Sequence, residues 1–168
     1  MPARLLGRPI VTDADLTAAA EAFAEALRPF APTRVVYIET GGARLGTHLA
    51  AVLAIPCEGL PIRYPRSHRS PFAKALLFPL KEVMYRLQRP KAQGALKLLA
   101  TADDRIVLVD DSASSGRTLR LALSALEERG IPRDRTRTAV YRRGSRAAAV
   151  TDLFRTKHPV HFSRRSFG

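Results

Sequence analysis

One thirteen-residue run, residues 107–119, constrains the fold of this chain more than any other part of it. It reads Val-Leu-Val-Asp-Asp-Ser-Ala-Ser-Ser-Gly-Arg-Thr-Leu, and Ile106 precedes it. A short apolar segment rich in β-branched residues is typical of a central parallel strand. Two carboxylates, Asp110 and Asp111, follow that strand, and Leu119 begins an apolar pattern with helical spacing. The run therefore predicts a strand, a short polar loop and a helix.

The loop between this strand and helix has the composition of a phosphate site. It consists of small and hydroxyl-bearing residues that lead directly into the helix. Backbone N–H groups, hydroxyls and the helix dipole favour an anion at such a helix N-terminus. Paired carboxylates beside the loop suit sugar hydroxyls or Mg²⁺, and open α/β sheets bind ligands at the carboxyl ends of their strands. These residues indicate a phosphorylated sugar as the ligand.

The same run resembles the phosphoribosyl diphosphate (PRPP) signature of type I phosphoribosyltransferases. That signature has four apolar residues, two acids, two variable residues, two small or hydroxyl residues, Gly, a variable residue and Thr, and each element is present here. The resemblance implies that Asp110 and Asp111 hold the ribose 2′- and 3′-hydroxyls as the catalytic pair. They are also the candidate protein ligands of the Mg²⁺ that accompanies PRPP. The implied 5′-phosphate loop consists of Ser112, Ala113, Ser114, Ser115, Gly116, Arg117 and Thr118.

Two other interpretations of this run remain open. Val-Asp-Asp-Ser also occurs in response-regulator receiver domains, where a phosphorylated Asp follows about two strands after the acid pair. Here 57 residues follow Asp111, and Asp152 does not end an apolar strand. The second alternative is an ordinary strand–turn–helix in which the serines only cap the helix.

A second strand–loop–helix lies upstream. Arg34–Ile38 is a predicted core strand, and a predicted helix runs from Arg44 to Leu53. The glycines between them let the backbone approach a ligand closely. Together with the PRPP signature, this segment resembles the pyrophosphate loop of the same family, although a plain turn and an exposed helix-face arginine are the alternatives. The implied pyrophosphate site consists of Glu39, Thr40, Gly41, Gly42 and Arg44.

Strands and helices alternate along the chain, which predicts an α/β fold. We expect a Rossmann-like parallel sheet of about five strands flanked by helices, with a small hood and a helical insertion, in a single domain over residues 1–168. The remaining predicted elements are a helix from Thr12 to Arg28, strands at 57–63, 105–109, 136–141 and 160–162, a helix ending at Glu128 and a short helical segment at 147–154.

Residues 64–103 form a long excursion, and they occupy the position of the family's flexible loop. Residues 63–97 contain nine Lys or Arg and one acid, Glu82. Apolar residues recur there at helical spacing, which favours a core or dimer contact, with a membrane or RNA surface as the alternative.

Residues 143–168 are expected to contribute to the hood that selects the acceptor base. Lys157 is a candidate for a carbonyl oxygen of the base, and Phe162 for stacking on its ring or for ordinary core packing. Ser114 stands where hypoxanthine–guanine members of the family carry an Asp proposed to handle the purine proton.

Composition and charge limit the compartment and the partners that we expect for this protein. The lone Cys57 excludes an internal disulfide framework, and no segment has the roughly 20 apolar residues of a membrane span. A short N-terminus without a leader pattern predicts a cytoplasmic protein without membrane contact. The net charge of +13 fits anionic substrates and leaves nucleic acid as a further candidate partner.

The resemblance implies an Mg-dependent transferase that moves the phosphoribosyl group of PRPP to a nitrogen acceptor and releases pyrophosphate. The expected assembly is a homodimer. The alternative function is a non-catalytic PRPP- or nucleotide-sensing regulator that binds RNA or DNA.

Overall fold

The computed structural model has a central sheet of five parallel strands. It describes residues 4–5, 8–9, 11–39, 41–62 and 98–157. Short 3₁₀ turns occupy Arg28–Phe30, Arg133–Arg135 and Ser145–Val150. The strands and α-helices are β1 (Arg4–Leu5), β2 (Arg8–Pro9), α1 (Asp13–Leu27), β3 (Arg34–Ile38), α2 (Ala43–Leu53), β4 (Cys57–Leu60), β5 (Ile106–Ala113), α3 (Arg117–Glu127), β6 (Thr136–Arg143) and β7 (Leu153–Lys157).

The main sheet has the order β4-β3-β5-β6-β7, and every neighbouring pair is parallel. This confirms the α/β class and the five parallel strands that the alternating pattern predicts. β1 and β2 form a separate two-stranded antiparallel ribbon, which the sequence analysis did not predict. Because β5 is the central strand, it is fixed in the sheet by β3 on one side and by β6 on the other.

Each face of the sheet packs against helices, which explains the unbroken apolar run in β5. Successive residues of a strand point to opposite faces. Val107 accordingly belongs to the core shared with α1 and α2, and Leu108 to the core shared with α3. Both side chains are fully buried.

The first helix begins at the residue that the sequence indicated. The Thr12 Oγ1 accepts a hydrogen bond from the Asp15 N–H at 3.2 Å, and the Asp15 carboxylate accepts one from the Thr12 N–H at 2.9 Å. This reciprocal capping box satisfies backbone donors that the first turn would otherwise leave unpaired. The same bonds to Thr12 lower the pKa of Asp15.

The predicted helix at 147–154 is wrong in its second half. The chain forms a 3₁₀ turn at Ser145–Val150 and then enters the edge strand β7 at Leu153. The Asp152 carboxylate accepts a hydrogen bond from the Thr138 N–H at 2.7 Å and pairs with Arg133 at 2.9 Å, which holds this segment against β6. Hydrogen bonds and ion pairs between residues far apart in sequence do not change the local pattern of apolar residues, so the sequence analysis could not predict this strand. The strand expected at 160–162 lies outside the described residues.

The last residues of the predicted 64–103 excursion belong to the core. Leu98 and Ala100 are buried, and the Glu58 carboxylate of β4 accepts the N–H groups of Leu99 at 2.7 Å and Ala100 at 3.0 Å. Residues 63–97 lie outside the described part of the chain. Among the helices of the described segments, none has the length and apolarity required to cross a membrane.

Replacing Thr12 with Ala should lower the free energy of unfolding by about 1 kcal/mol, because the first turn of α1 loses its cap. Urea denaturation followed by circular dichroism measures this change. Thr47→Ala is the matched control, since the Thr47 hydroxyl is exposed and bonds only to carbonyls of its own helix. An equal loss in both variants would contradict a specific role for the cap.

Candidate active site

The central strand β5 pairs with β6 over a longer stretch than with β3. Its pairing with β3 ends at Val109, opposite Tyr37, whereas its pairing with β6 continues to Ala113. Asp110 and Asp111 therefore lie beyond the last paired residue of β3 while still being held by β6. The sequence analysis placed the acid pair after the strand, and the structure places it within the strand's one-sided extension.

The two acids of the pair occupy unequal environments. Asp110 is 7% exposed, whereas Asp111 is exposed to solvent. The Asp111 N–H donates a hydrogen bond to Asp110 Oδ1 at 2.8 Å. Burial and the neighbouring charge of Asp111 together raise the pKa of Asp110 to about 8. One buried carboxyl that holds its proton therefore lies beside one exposed carboxyl.

The glycine loop after β3 meets this acid pair. A Cβ atom on Gly41 would lie 2.5 Å from Asp111 Oδ1, and a Cβ atom on Gly42 would clash with the backbone carbonyl of Val109. Only residues without side chains permit so close an approach. Glu39 is exposed at the start of the loop, where its N–H donates to the Leu60 carbonyl at 3.0 Å. Thr40 lies outside the described residues.

Arg44 has a partner on α1. Its guanidinium forms an ion pair with Asp13 at 2.5 Å, and the arginine side chain is 62% exposed. Hydrogen bonding and charge from Arg44 lower the pKa of Asp13. The structure thus directs this side chain to α1, and its contact with pyrophosphate stays a prediction.

The loop between β5 and α3 encloses a small cavity of about 50 Å³. α3 begins after Gly116, whose φ of +70° is a backbone conformation that favours glycine, and no side chain caps the helix there. The neighbouring Ser115 Oγ does accept a hydrogen bond from the Arg117 N–H at 3.3 Å, so one serine caps the first turn while the rest of the loop lines the cavity. The cavity is lined by Asp110, Ser112, Ala113, Ser114, Ser115, Gly116, Arg117, Thr118 and Leu119, a set that contains every predicted residue of the 5′-phosphate loop.

The turn after β6 supports this loop, and the sequence analysis did not predict that contact. The Gly144 N–H donates to the Ala113 carbonyl at 2.7 Å, and a Cβ atom on Gly144 would lie 2.5 Å from the Ser114 carbonyl oxygen. A Cβ atom on Gly116 would likewise meet Val150 at 2.6 Å. The available signal was a glycine shortly after the strand predicted at 136–141, where a close backbone approach is common; β6 in fact runs on to Arg143, directly before this glycine.

A stacked cation lies at the ends of β6 and β7. The Arg143 guanidinium is 3.6 Å from the centroid of the Phe154 ring, a cation–π contact that the sequence analysis did not anticipate. Lys157 ends β7 and is paired in register with Arg143, so its backbone lies at the same edge of the sheet as the acid pair. Phe162 lies outside the described residues.

The donor set at this edge fits a Mg²⁺ ion brought by a phosphorylated substrate. Across the described segments, no three His, Cys, Asp or Glu side chains converge as a metal cluster. Mg²⁺ in phosphate-binding sites is typically held by one or two carboxylates together with substrate oxygens and water. Asp111 supplies an exposed carboxylate, and the buried carboxyl of Asp110 beside it lines the cavity for a phosphate.

Comparison with known sequences identifies the family of this chain. Residues 12–162 match the family model for the phosphoribosyl transferase domain. A xanthine phosphoribosyltransferase of Deinococcus deserti is 31% identical over 115 residues, which span 66% of this chain and 54% of that protein. The chain thus matches about half the length of that curated relative.

Comparison with solved structures supports the fold. A purine phosphoribosyltransferase from Pyrococcus horikoshii superposes with a TM-score of 0.62 at 18% identity, over 88% of this chain and 85% of that one. A hypoxanthine phosphoribosyltransferase from Staphylococcus aureus gives a TM-score of 0.62 at 13% identity, over 96% and 80% of the two chains. With the site geometry and the match over residues 12–162, the chain belongs to the phosphoribosyl transferase domain family.

Proposed function

We propose that this protein transfers the 5-phosphoribosyl group of PRPP to a nitrogen atom of a heterocyclic base and releases pyrophosphate. The proposal rests on one observation, which is that three groups lie side by side at the carboxyl edge of the sheet. The acid pair lies between a glycine loop that touches Asp111 and a phosphate-sized loop that Asp110 helps to line. PRPP has a ribose with an anionic phosphate at each end, and this arrangement matches that order of groups.

Each part of the site has a distinct task in the proposed reaction. The cavity at the start of α3 anchors the 5′-phosphate through backbone N–H groups and hydroxyls. Asp110 and Asp111 orient the ribose hydroxyls, and the exposed carboxylate of Asp111 stabilises positive charge that develops on the ribose as the bond to pyrophosphate breaks. The loop of Gly41 and Gly42 lies against Asp111 and would place the departing pyrophosphate beside the acid pair. Positioning and charge stabilisation thus supply the catalysis, without a covalent protein nucleophile.

Mg²⁺ is the proposed cofactor, held by Asp110 or Asp111 together with oxygens of PRPP. When bound, it would neutralise charge on the leaving pyrophosphate. The exposed Asp111 is the better placed of the two carboxylates, because the pKa of Asp110 is raised to about 8 and its carboxyl holds a proton at neutral pH.

The excess basic charge lies in three segments of the sequence outside most of the residues that form the sheet. Residues 11–39, 41–62 and 98–156 contain 14 Arg and 14 acidic residues. The net charge of +13 therefore comes from residues 1–10, 63–97 and 157–168. Binding of RNA or DNA by these residues stays a prediction, as do a cytoplasmic location and a homodimer.

Release of pyrophosphate in the presence of PRPP and Mg²⁺ tests the proposal. The acceptor panel should include xanthine, hypoxanthine, adenine and orotate, since the matched relative is a xanthine enzyme and the similar structures include a hypoxanthine enzyme. Release that depends on an acceptor supports a transferase. PRPP binding without release from any acceptor would contradict it and favour the sensing alternative.

Replacing Asp110 and Asp111 together with Asn should lower PRPP-dependent pyrophosphate release by at least about a hundred-fold, because the carboxylate of Asp111 beside the developing positive charge is lost and the hydrogen bonds of both acids to the ribose hydroxyls are altered. Initial rates at saturating acceptor measure the effect. Asp103→Asn is the matched control, since that carboxylate is fully exposed outside the site. Wild-type rates in the double variant would contradict the assignment of the acid pair.

The raised pKa of Asp110 predicts how stability varies with pH. Its ordinary value of 3.8 applies to the unfolded chain, and the folded value is about 8, so the folded protein holds a proton that the unfolded chain releases in between. The stabilisation from this group is complete below about pH 4 and declines as the pH rises towards 8, by up to about 1.4 kcal/mol per pH unit.

Asp110→Asn cannot ionise, so its free energy of unfolding should rise relative to wild type between about pH 5 and pH 8. Urea denaturation at successive pH values, without Mg²⁺, measures the difference. Asp103→Asn should stay parallel to wild type. A constant difference between Asp110→Asn and wild type would show that Asp110 is ionised throughout.

A further inference from the structure

Three successive carbonyl groups of the loop between β5 and α3 face other parts of the protein. The Ala113 carbonyl accepts the Gly144 N–H at 2.7 Å, and the Ser114 carbonyl oxygen lies 2.5 Å from the position of a Cβ atom on Gly144. The Ser115 carbonyl accepts a hydrogen bond from the Arg120 guanidinium at 2.7 Å. Both residues that hold these carbonyls lie outside the set that lines the cavity. The loop is therefore held from its outer side.

The contact with Arg120 fixes the peptide group that joins Ser115 to Gly116. A trans peptide is planar, so its carbonyl and its N–H point in opposite directions, and no peptide bond of the described residues is cis. Because the Ser115 carbonyl is held from outside the cavity, the Gly116 N–H points to the side on which the cavity lies. N–H groups in such turns form concavities that bind anions.

This peptide group is one that could otherwise rotate. Gly116 has a φ of +70° and no side chain, and Ser115 is exposed. Glycine adopts positive and negative φ with similar ease, so the flanking bonds offer little resistance. Rotation by half a turn would direct the carbonyl oxygen into the cavity, where its partial negative charge would repel a phosphate. The hydrogen bond from Arg120 opposes that rotation.

The position of Arg120 on α3 explains how it reaches the loop. Helical side chains lean towards the helix N-terminus, which brings the guanidinium back to a carbonyl five residues earlier. The Arg120 N–H makes an ordinary helical bond to the Gly116 carbonyl at 3.0 Å, and the side chain is exposed. Arg120 also follows the PRPP signature, which ends at Thr118, so the resemblance assigns it no role.

We infer that Arg120 is a positioning residue for the 5′-phosphate, which it serves by holding the peptide between Ser115 and Gly116 with its N–H towards the cavity. This rests on the proposed function, since it requires the 5′-phosphate of PRPP to occupy that cavity. A donor that is already oriented does not have to be ordered when the ligand arrives. Loss of Arg120 therefore weakens binding at the phosphate end of the site and not at the pyrophosphate end.

Calorimetric titration of the intact protein with ribose 5-phosphate, and separately with pyrophosphate and Mg²⁺, tests the inference. Arg120→Met keeps the length of the side chain and removes the donor. Its Kd for ribose 5-phosphate should rise roughly 10-fold, as for a lost hydrogen bond from a charged group, while its Kd for pyrophosphate should stay within about twofold. Arg120→Lys retains a cationic donor and should restore most of the affinity.

Arg135→Met is the matched control. Arg135 also donates to backbone carbonyls, those of Ala102 at 3.2 Å and Asp103 at 3.0 Å. It lies directly before β6, at the amino ends of the strands and thus at the opposite edge of the sheet from the site. This variant should bind both ligands as the wild type does. An equal loss of ribose 5-phosphate affinity in the two Met variants would overturn the inference.

The Gly116 amide reports directly on the proposed role. Relaxation dispersion of its nitrogen nucleus in the ligand-free protein should show exchange on the μs–ms timescale in Arg120→Met and none in the wild type or Arg120→Lys. Weaker ribose 5-phosphate binding in Arg120→Met with an unchanged Gly116 signal would mean that Arg120 acts on the phosphate itself, which would overturn the positioning role.

The outcomes separate the inference from the function on which it rests. Failure of the wild-type protein to bind either PRPP or ribose 5-phosphate would overturn the proposed function and the inference together. Binding by the wild type with equally tight binding by Arg120→Met would overturn the inference alone. The same holds if Arg120→Met loses as much affinity for pyrophosphate as for ribose 5-phosphate, because the effect would then not be confined to the phosphate loop.

Discussion

The unequal pairing of β5 with its two neighbours is the constraint on which the site depends. β3 pairs with it as far as Val109, and β6 pairs with it as far as Ala113. The extension brings two carboxylates past the end of β3 while keeping them fixed in the sheet. The space above the end of β3 is then filled by the glycine loop, which touches Asp111. A strand that ended at the same level on both sides would leave the acid pair on a freely moving loop.

Burial separates the two members of the acid pair. Asp110 faces the cavity at the start of α3 and lies under the loop that follows, so its charged form is disfavoured. Asp111 faces solvent beside Gly41. Adjacent residues in a strand point to opposite faces, so one sequence motif yields one buried and one exposed carboxyl. The buried carboxyl of Asp110 is suited to hydrogen-bond a ribose hydroxyl. The exposed carboxyl of Asp111 is suited to stabilise positive charge on the ribose.

Local pattern predicted four of the five strands of the sheet, the start of α1 at Thr12 and the phosphate loop because these depend on neighbours in sequence. The periodicity before Asp110 and the Ser/Gly loop after Asp111 carried that information. The strand β7 was missed because its place is set by Asp152, which bonds to Thr138 across the sheet. Likewise the support of the phosphate loop by Gly144, and the stacking of Arg143 on Phe154, join segments that only the folded sheet brings together.

Isothermal titration calorimetry of the intact protein with PRPP and Mg²⁺ tests the central claim most directly, because it measures binding without any assumption about the acceptor. The account predicts saturable binding of one PRPP per chain. It also predicts that inorganic pyrophosphate and ribose 5-phosphate, which occupy the two ends of the site, each compete with PRPP. Failure of PRPP to bind, or binding that neither fragment displaces, would contradict the assignment of this edge of the sheet as a PRPP site.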